Sequence, residues 1–151
     1  MNLDFRDLLC AFNAANTEYL VVGAHALAAH GLIRATRDFD VWVRPSSANA
    51  RRVLQALANF GAPLHDLNEA DLSGDDLIFQ IDVEPVRIDV ITGISGVAFE
   101  DAWRDRVAVT FADQHAHVLS RQHLIANKRA AGRPQDLLDV AWIEREFPLD
   151  K

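Results

Sequence analysis

The sequence contains little cysteine, little lysine and no long apolar run. Cys10 is the only cysteine, which excludes an internal disulfide and a zinc site built from cysteines. We expect Cys10 to be a small core residue on an N-terminal helix. Residues 1–20 hold no apolar stretch long enough for a secretory signal or a membrane span, and acidic residues stand where a signal peptide carries basic ones. These absences predict a cytoplasmic protein without a membrane partner.

Basic residues are outnumbered by acidic ones. The chain has 15 Lys and Arg against 22 Asp and Glu, a net charge of -7 and a pI near 5.2. This balance excludes the broad basic face that non-specific binding to nucleic acids or anionic membranes requires, but it allows a local basic groove. With 151 residues, of which 50% are hydrophobic, the chain is predicted to form a single domain, residues 1–151, around one core.

Hydrophobic spacing and the positions of glycine and proline predict alternating helices and strands. Two late pairs of strands are close enough to form hairpins, and two helices separated by Gly132 and Pro134 close the chain. The predicted strands are 18–22, 38–44, 77–83, 86–92, 107–111 and 116–119. The predicted helices are 3–15, 24–30, 47–60, 121–131 and 134–147, with shorter helical turns within 65–76 and at 99–103.

Aspartates interrupt two strands that otherwise alternate like strands of a buried sheet. Asp38 and Asp40 are two residues apart, so their carboxylates project from the same side of a strand, about 7 Å apart at the backbone. Asp89 is a third acid, within the apolar run VRIDVI. If the two strands are neighbours, the three carboxylates converge.

Such a cluster needs positive charge. Each pair of carboxylates at about 4 Å repels by roughly 4 kcal/mol at an effective dielectric constant near 20. A divalent cation removes this repulsion, and Mg²⁺ prefers oxygen ligands while it keeps positions open for water and phosphates. Alternatively, Arg34, Arg37 and Arg87 neutralise the acids in a structural salt-bridge network. The sequence leaves both explanations open.

A phosphate-binding turn is predicted just upstream of the acidic strand. At Gly23 and Ala24 a strand turns into a helix, where small residues let an anion approach the first backbone amides. By itself a Gly-Ala pair is a weak signal, and its weight comes from its position before Asp38.

Four segments together resemble the nucleotidyltransferase superfamily: VVGAHALAAHG, RATRDFDVWV, RIDVIT and LIANKRAAGRPQDLLDV. More narrowly, the chain is similar over about residues 18–143 to small bacterial proteins grouped with the AbiEii-type and DUF6036 nucleotidyltransferases. The resemblance implies an α/β (α+β) nucleotidyltransferase fold, with a mixed β-sheet flanked by helices and a C-terminal helical pair.

The resemblance also assigns roles to residues. It implies that Gly23 holds a triphosphate, that Asp38 and Asp40 bind Mg²⁺, and that Asp89 completes the catalytic and metal-binding set. Ala24 stands where many members have Gly or Ser, so its backbone amide can contact phosphate but a hydroxyl contact is absent.

The implied reaction is attack by an acceptor hydroxyl of an RNA, a protein or a small molecule on the α-phosphate of a nucleoside triphosphate. Asp89 is the candidate for removing the hydroxyl proton. Lys128 is expected to hold the triphosphate, the alternative being a solvated helix end. Arg34 and Arg37 either steer phosphate or balance charge.

Two further expectations concern the late helices and the protein's role in the cell. Asp136 and Asp139 are expected to cap the last helix and to pair with neighbouring arginines. The alternative to an enzyme is a catalytically weak or inactive member of the fold that acts as a binding or regulatory protein, for example in a toxin-antitoxin or phage-defence pair. A homodimer or a cognate partner protein is compatible with either role.

Overall fold

The protein is described by a computed structural model that covers residues 3–83 and 85–148. Helices and strands alternate along the chain, and the predicted elements are present with boundary shifts of a few residues at most. In chain order they are α1 (Leu3–Ala14), β1 (Tyr19–Val22), α2 (Gly23–Ala29), β2 (Asp38–Val43), α3 (Ser47–Phe60), α4 (Glu69–Ser73), β3 (Ile78–Val83), β4 (Val86–Ile91), α5 (Phe99–Arg104), β5 (Val107–Phe111), β6 (Gln114–Val118), α6 (Arg121–Ala131) and α7 (Pro134–Glu146).

The six strands form one mixed sheet in the order β3-β4-β2-β1-β6-β5. Strands β2 and β4 run parallel, as do β1 and β6, while the remaining neighbours are antiparallel. The two predicted hairpins are β3-β4 and β5-β6. Helices flank the sheet, and α6 and α7 pack together as the predicted C-terminal pair. The predicted fold class, a mixed sheet flanked by helices, is confirmed.

The helix ends follow from local sequence. The Ser46 side chain accepts a hydrogen bond from the backbone N–H of Asn49 and caps α3, and Gly61 ends that helix in the left-handed conformation. The Ser120 hydroxyl caps α6 in the same way, and Gly132 ends it. Pro134 begins α7, a position where the missing N–H of proline costs nothing. Gly132 and Pro134 thus separate α6 from α7.

The core lies between the sheet and the helices packed on it. On α1 the apolar side chains of Phe5, Leu8, Leu9 and Phe12 are buried and face the core. The prediction that Cys10 is a core residue is wrong, since its side chain is exposed. Cys10 is two residues from both Leu8 and Phe12, which is about 200° around the helix, so its side chain points away from the buried face. None of the helices in the described ranges combines the length and apolar character that a membrane span needs.

Candidate active site

Strands β2 and β4 bring the three aspartates together. In their parallel register Asp40 is the partner of Asp89, and Asp38 is the partner of Arg87. The side chains of Asp40 and Asp89 are in hydrogen-bond contact. The convergence expected from the sequence therefore occurs, and it places an arginine within the same cluster.

Arg87 supplies positive charge to two of the carboxylates. Its Nη2 lies 3.3 Å from Oδ2 of Asp38, and its Nε lies 3.2 Å from Oδ1 of Asp89. The second contact is ionic but poorly aligned, because both atoms lack a hydrogen-bond partner although they are buried. The salt-bridge alternative is thus correct for Arg87. Arg34 pairs with Asp139 instead, and Arg37 lies beside Asp38 and Arg87 but, in the described part of the chain, forms no ion pair with the strand acids.

Asp40 is the carboxyl group with the most perturbed titration. Burial raises its pKa to about 7, helped by the hydrogen bond to Asp89 and the negative charges of Asp89 and Asp38, while Arg87 opposes the rise. A proton on Asp40 therefore relieves repulsion in this cluster near neutral pH.

Gly23 lies directly against the Asp40 carboxylate. Its φ is +70°, and a Cβ added there would overlap Oδ2 of Asp40 and lie 3.2 Å from Cγ. Only glycine therefore lets the β1–α2 turn approach the acidic strand this closely. The spacing of Gly23 and Asp40 in the sequence gives no hint of this contact.

We predict that Gly23→Ala destabilises the protein and displaces Asp40. The left-handed conformation costs alanine about 1 kcal/mol, and the overlap with Asp40 adds to it, so we expect a loss of about 2–3 kcal/mol in the free energy of unfolding. Gly61→Ala is the matched control, because Gly61 has φ +91° and nothing within 4 Å of an added Cβ. Equal losses for the two variants, measured by urea unfolding, would contradict the close packing at Gly23.

An open cleft of about 340 Å³ borders the acidic strand. Gly23, Ala24, Asp38 and Asp40 line one side of it. The other side is formed by the α2–β2 loop and by α6 and α7, with Arg34, Thr36, Lys128, Arg133, Asp136 and Asp139. Asp89 lies behind Asp40, and among the described residues it is not part of this lining.

Lys128 and Arg34 meet at a buried carboxylate. Lys128 Nζ lies 2.8 Å from Oδ2 of Asp139, and Arg34 Nη2 lies 2.5 Å from its Oδ1. Gln135 donates a third hydrogen bond, at 3.0 Å. Burial alone would raise the pKa of Asp139, but the hydrogen bonds from Arg34, Lys128 and Gln135 outweigh it and lower the pKa to about 2. Asp139 therefore stays ionised and fixes both cations at the cleft.

A neighbouring carboxylate begins α7. Asp136 accepts hydrogen bonds from the backbone N–H of Arg133 and from its Nε, at 3.2 and 2.7 Å, and lies 3.6 Å from Lys128 Nζ. The expectation of capping and arginine pairing is confirmed for Asp136, and the expectation of arginine pairing is confirmed for Asp139. Their position on the wall of the cleft was missed. The sequence did hold a signal for this position. Asp136 and Asp139 are three residues apart and share one face of α7, and the preceding helix carries Lys128, the one lysine that is not at the end of the sequence.

The structure sorts the residues singled out from the sequence into three places. Gly23, Ala24, Asp38, Asp40, Arg34 and Lys128 line the cleft. Asp89 is joined to it through Asp40. Arg37 faces a different cavity, beside Arg87. Lys128 is not a solvated helix end, because its side chain is only 11% exposed.

The donor atoms of the acidic cluster are of the type that Mg²⁺ prefers. Asp38, Asp40 and Asp89 offer carboxylate oxygens, and Oδ1 of Asp89 is buried without a hydrogen bond. In the described part of the chain, however, no three His, Cys, Asp or Glu side chains stand in an arrangement ready to hold a metal ion. The positive charge comes instead from Arg87 and from a proton on Asp40. The residues fit Mg²⁺ in chemistry and charge, provided that the ion replaces these two.

Of three comparisons with known proteins, one gave a match, and it concerns the fold. No protein-family model matches the chain, and no curated protein matches it. Its fold is similar to that of a Thermotoga maritima protein solved by crystallography and provisionally named a nucleotidyltransferase. The TM-score is 0.60 at 12% sequence identity, over 94% of this chain and 85% of the other. At that identity the likeness concerns the fold, and the chain therefore has a nucleotidyltransferase-like fold.

Proposed function

We propose that the protein is a Mg²⁺-dependent nucleotidyltransferase that transfers a nucleoside monophosphate from a nucleoside triphosphate to a hydroxyl acceptor. The observation that carries the proposal is the position of Asp38 and Asp40 on the same cleft as Gly23 and Lys128, with Asp89 in hydrogen-bond contact with Asp40. Carboxylates on one side, and on the other side cations held by Asp136 and Asp139, suit a metal-bound triphosphate.

The three aspartates would hold the metal. Asp38 and Asp40 reach the cleft directly, and Asp89 supports Asp40 from β4. When bound, Mg²⁺ would neutralise the phosphates and align the attacking and leaving oxygens. The proton on Asp40 and the contact from Arg87 are the positive charges that the ion would replace.

The triphosphate would bind between the two sides of the cleft. Gly23 and Ala24 leave room for it, since neither has a side chain larger than a methyl group. Lys128 and Arg34 face the same space and are held in place by Asp139. Because both cations already have an acidic partner, they are oriented donors rather than mobile ones, which reduces the entropy lost when phosphate binds.

The proposed step is one substitution at phosphorus. The acceptor oxygen forms a bond to the α-phosphorus, the bond from that phosphorus to the bridging α–β oxygen breaks, and pyrophosphate leaves. The proton of the hydroxyl passes to a carboxylate of the cluster. Asp89 is the candidate acceptor, and because Asp40 lies between it and the cleft, the proton would reach Asp89 through Asp40.

The finer assignment rests on sequence. We place the protein with the small bacterial AbiEii-type and DUF6036 nucleotidyltransferases because the motif NKRAAGRPQDLLD supplies Lys128, Asp136 and Asp139 to one cleft. The alternative, a binding or regulatory member of a toxin-antitoxin or phage-defence pair, predicts a tight partner protein and no response to nucleotides.

Binding of a metal-nucleotide complex is the first test. We expect one of the four MgNTPs at 100 times its Kd to stabilise the wild type by about 2.7 kcal/mol, which raises the melting temperature by about 5–10 °C. Asp38→Asn is expected to abolish this shift, because it removes a charge at the cleft. Asp66→Asn, the same change at an exposed loop position, should leave it intact. The absence of a shift with all four nucleotides at millimolar concentration would count against the enzyme and favour the partner protein.

A further inference from the structure

A second and smaller cavity meets the cleft at Asp38. It measures about 190 Å³ and is lined by Arg37, Asp38, Asp82, Pro85, Val86 and Arg87. Among the described residues, Asp38 is the one that lines both cavities. The carboxylate therefore stands between a large cleft with Gly23 and Lys128 and a small cavity with two arginines.

The small cavity is polar and offers two guanidinium groups. The Arg37 side chain is exposed, and the Arg87 side chain is 39% exposed while it contacts Asp38. Two acids, Asp38 and Asp82, also line it. In the proposed function Asp38 binds a divalent ion. Asp82 is then the one described acid in the lining that is left to balance Arg37 and Arg87, so the cavity has a net positive charge. Guanidinium groups are the preferred partners of phosphate, which they bind through paired N–H donors.

Substitution at phosphorus requires that the attacking group can approach the phosphorus from the side opposite the leaving group. The attacking and leaving oxygens lie roughly in line, on opposite sides of the phosphorus that reacts. If pyrophosphate leaves on the side of Lys128, the hydroxyl has to arrive from another side of the carboxylates. The cavity beyond Asp38 provides that approach, and its arginines select what enters.

We infer that the acceptor carries a phosphate group close to its reacting hydroxyl, and that Arg37 with Arg87 binds this phosphate. The inference rests on the proposed function and names the class of its second substrate. The volume of this cavity is about 190 Å³. It therefore suits a phosphate with its sugar rather than a long duplex. The net charge of -7 is compatible with such an acceptor. An acidic protein lacks a broad basic face, but it can bind one phosphate at the end of an acceptor through a local pair of arginines.

Two pairs of reagents test the inference. The first pair is a diribonucleotide with a normal phosphodiester and the same compound with an uncharged methylphosphonate linkage. The second is AMP and adenosine. Binding is measured by calorimetry in saturating Mg²⁺ and α,β-methylene ATP, which occupies the cleft but cannot release pyrophosphate. We expect the charged member of at least one pair to bind about tenfold more tightly or better.

Charge reversal at Arg37 is the matching change in the protein. Arg37→Glu is expected to abolish the preference for the charged compound, and Arg37→Gln to reduce it, while binding of the methylene analogue stays unchanged. Arg52→Glu is the control, since it makes the same change of charge at an exposed position on α3.

The outcomes separate the inference from the proposed function. An Arg37-dependent preference within the dinucleotide pair identifies a nucleic-acid end as the acceptor, and one within the AMP pair identifies a small phosphorylated compound. Equal binding of charged and uncharged members in both pairs overturns the inference but leaves the enzyme in place. Weaker binding of the methylene analogue to Arg37→Glu also overturns it, because Arg37 then serves the triphosphate. Failure of the analogue to bind the wild type contradicts the proposed function itself.

Discussion

Replacing Asp40 by asparagine is expected to make the metal-free protein more stable above pH 7. The pKa of Asp40 is raised from 3.8 to about 7, so the folded state binds this proton more tightly than the unfolded chain does. The stability that the wild type gains from this proton is fully present below the pKa of Asp40 in the unfolded chain, 3.8, and is lost as the pH rises through the folded-state pKa of about 7. The shift corresponds to at most about 4 kcal/mol, or about 10 °C in melting temperature. Asparagine keeps the neutral form, with its hydrogen bond to Asp89, at every pH.

The same substitution is expected to remove nucleotidyl transfer. An amide has no charge to offer a divalent cation, so we expect activity to fall on the order of 10³-fold, equivalent to about 4 kcal/mol of lost transition-state stabilisation. If Asp40→Asn is both more stable and inactive, the Asp40 carboxylate serves function at a cost in stability and is not there to stabilise the fold. Melting curves in EDTA between pH 5 and pH 8 give the first quantity, and incorporation of labelled nucleotide gives the second.

Asp38→Asn is the control for the pH dependence. Its side chain is 44% exposed and contacts Arg87, so its neutralisation relieves little burial and gives up an ion pair. We expect it to lose activity without gaining stability at pH 8. If the wild type and Asp40→Asn show the same dependence of melting temperature on pH, the pKa of Asp40 is not raised.

Local sequence determines much of this fold. The helices end at Gly61 and Gly132 because a left-handed residue there satisfies the last carbonyls, and such signals are visible in the sequence. The two-residue period of Asp38 and Asp40 placed both carboxylates on one side of β2. The hairpin β3-β4 then needed only to pair with β2 to bring Asp89 close, and the sequence left this pairing as a condition that the structure fulfils.

Contacts between distant segments were harder to foresee. The parallel pairing of β1 with β6 joins residues almost a hundred positions apart, and no local pattern specifies it. The fit of Gly23 against Asp40 depends on the register of β1 and β2. Likewise Arg34 was a candidate partner of the strand acids, but the α2–β2 loop carries it to Asp139 on α7. Charge alone could not choose between these acids, because the sequence does not fix the path of the loop.

Removing Asp139 is expected to have the largest effect on stability. Its carboxylate is 2% exposed and holds both Lys128 and Arg34. Asp139→Ala leaves the Lys128 ammonium buried with only Asp136, at 3.6 Å, which already pairs with Arg133. Breaking a buried ion pair by deleting one partner costs about 3–5 kcal/mol. Urea unfolding at pH 7 measures this loss, and the affinity for MgNTP should fall with it because Lys128 is no longer held at the cleft.

Two comparisons show whether the loss comes from the stranded charge. Asp101→Ala breaks an exposed ion pair with Arg104 and should cost less than about 1 kcal/mol. Adding Lys128→Met to Asp139→Ala removes the unpaired ammonium, so the double variant should recover part of the stability although it has lost more contacts. Additive losses would mean that Asp139 acts through packing alone. If the double variant regains stability but does not bind MgNTP, the fold does not need Lys128 but the proposed triphosphate site does. The buried pair of Lys128 and Asp139 then serves the cleft rather than the fold.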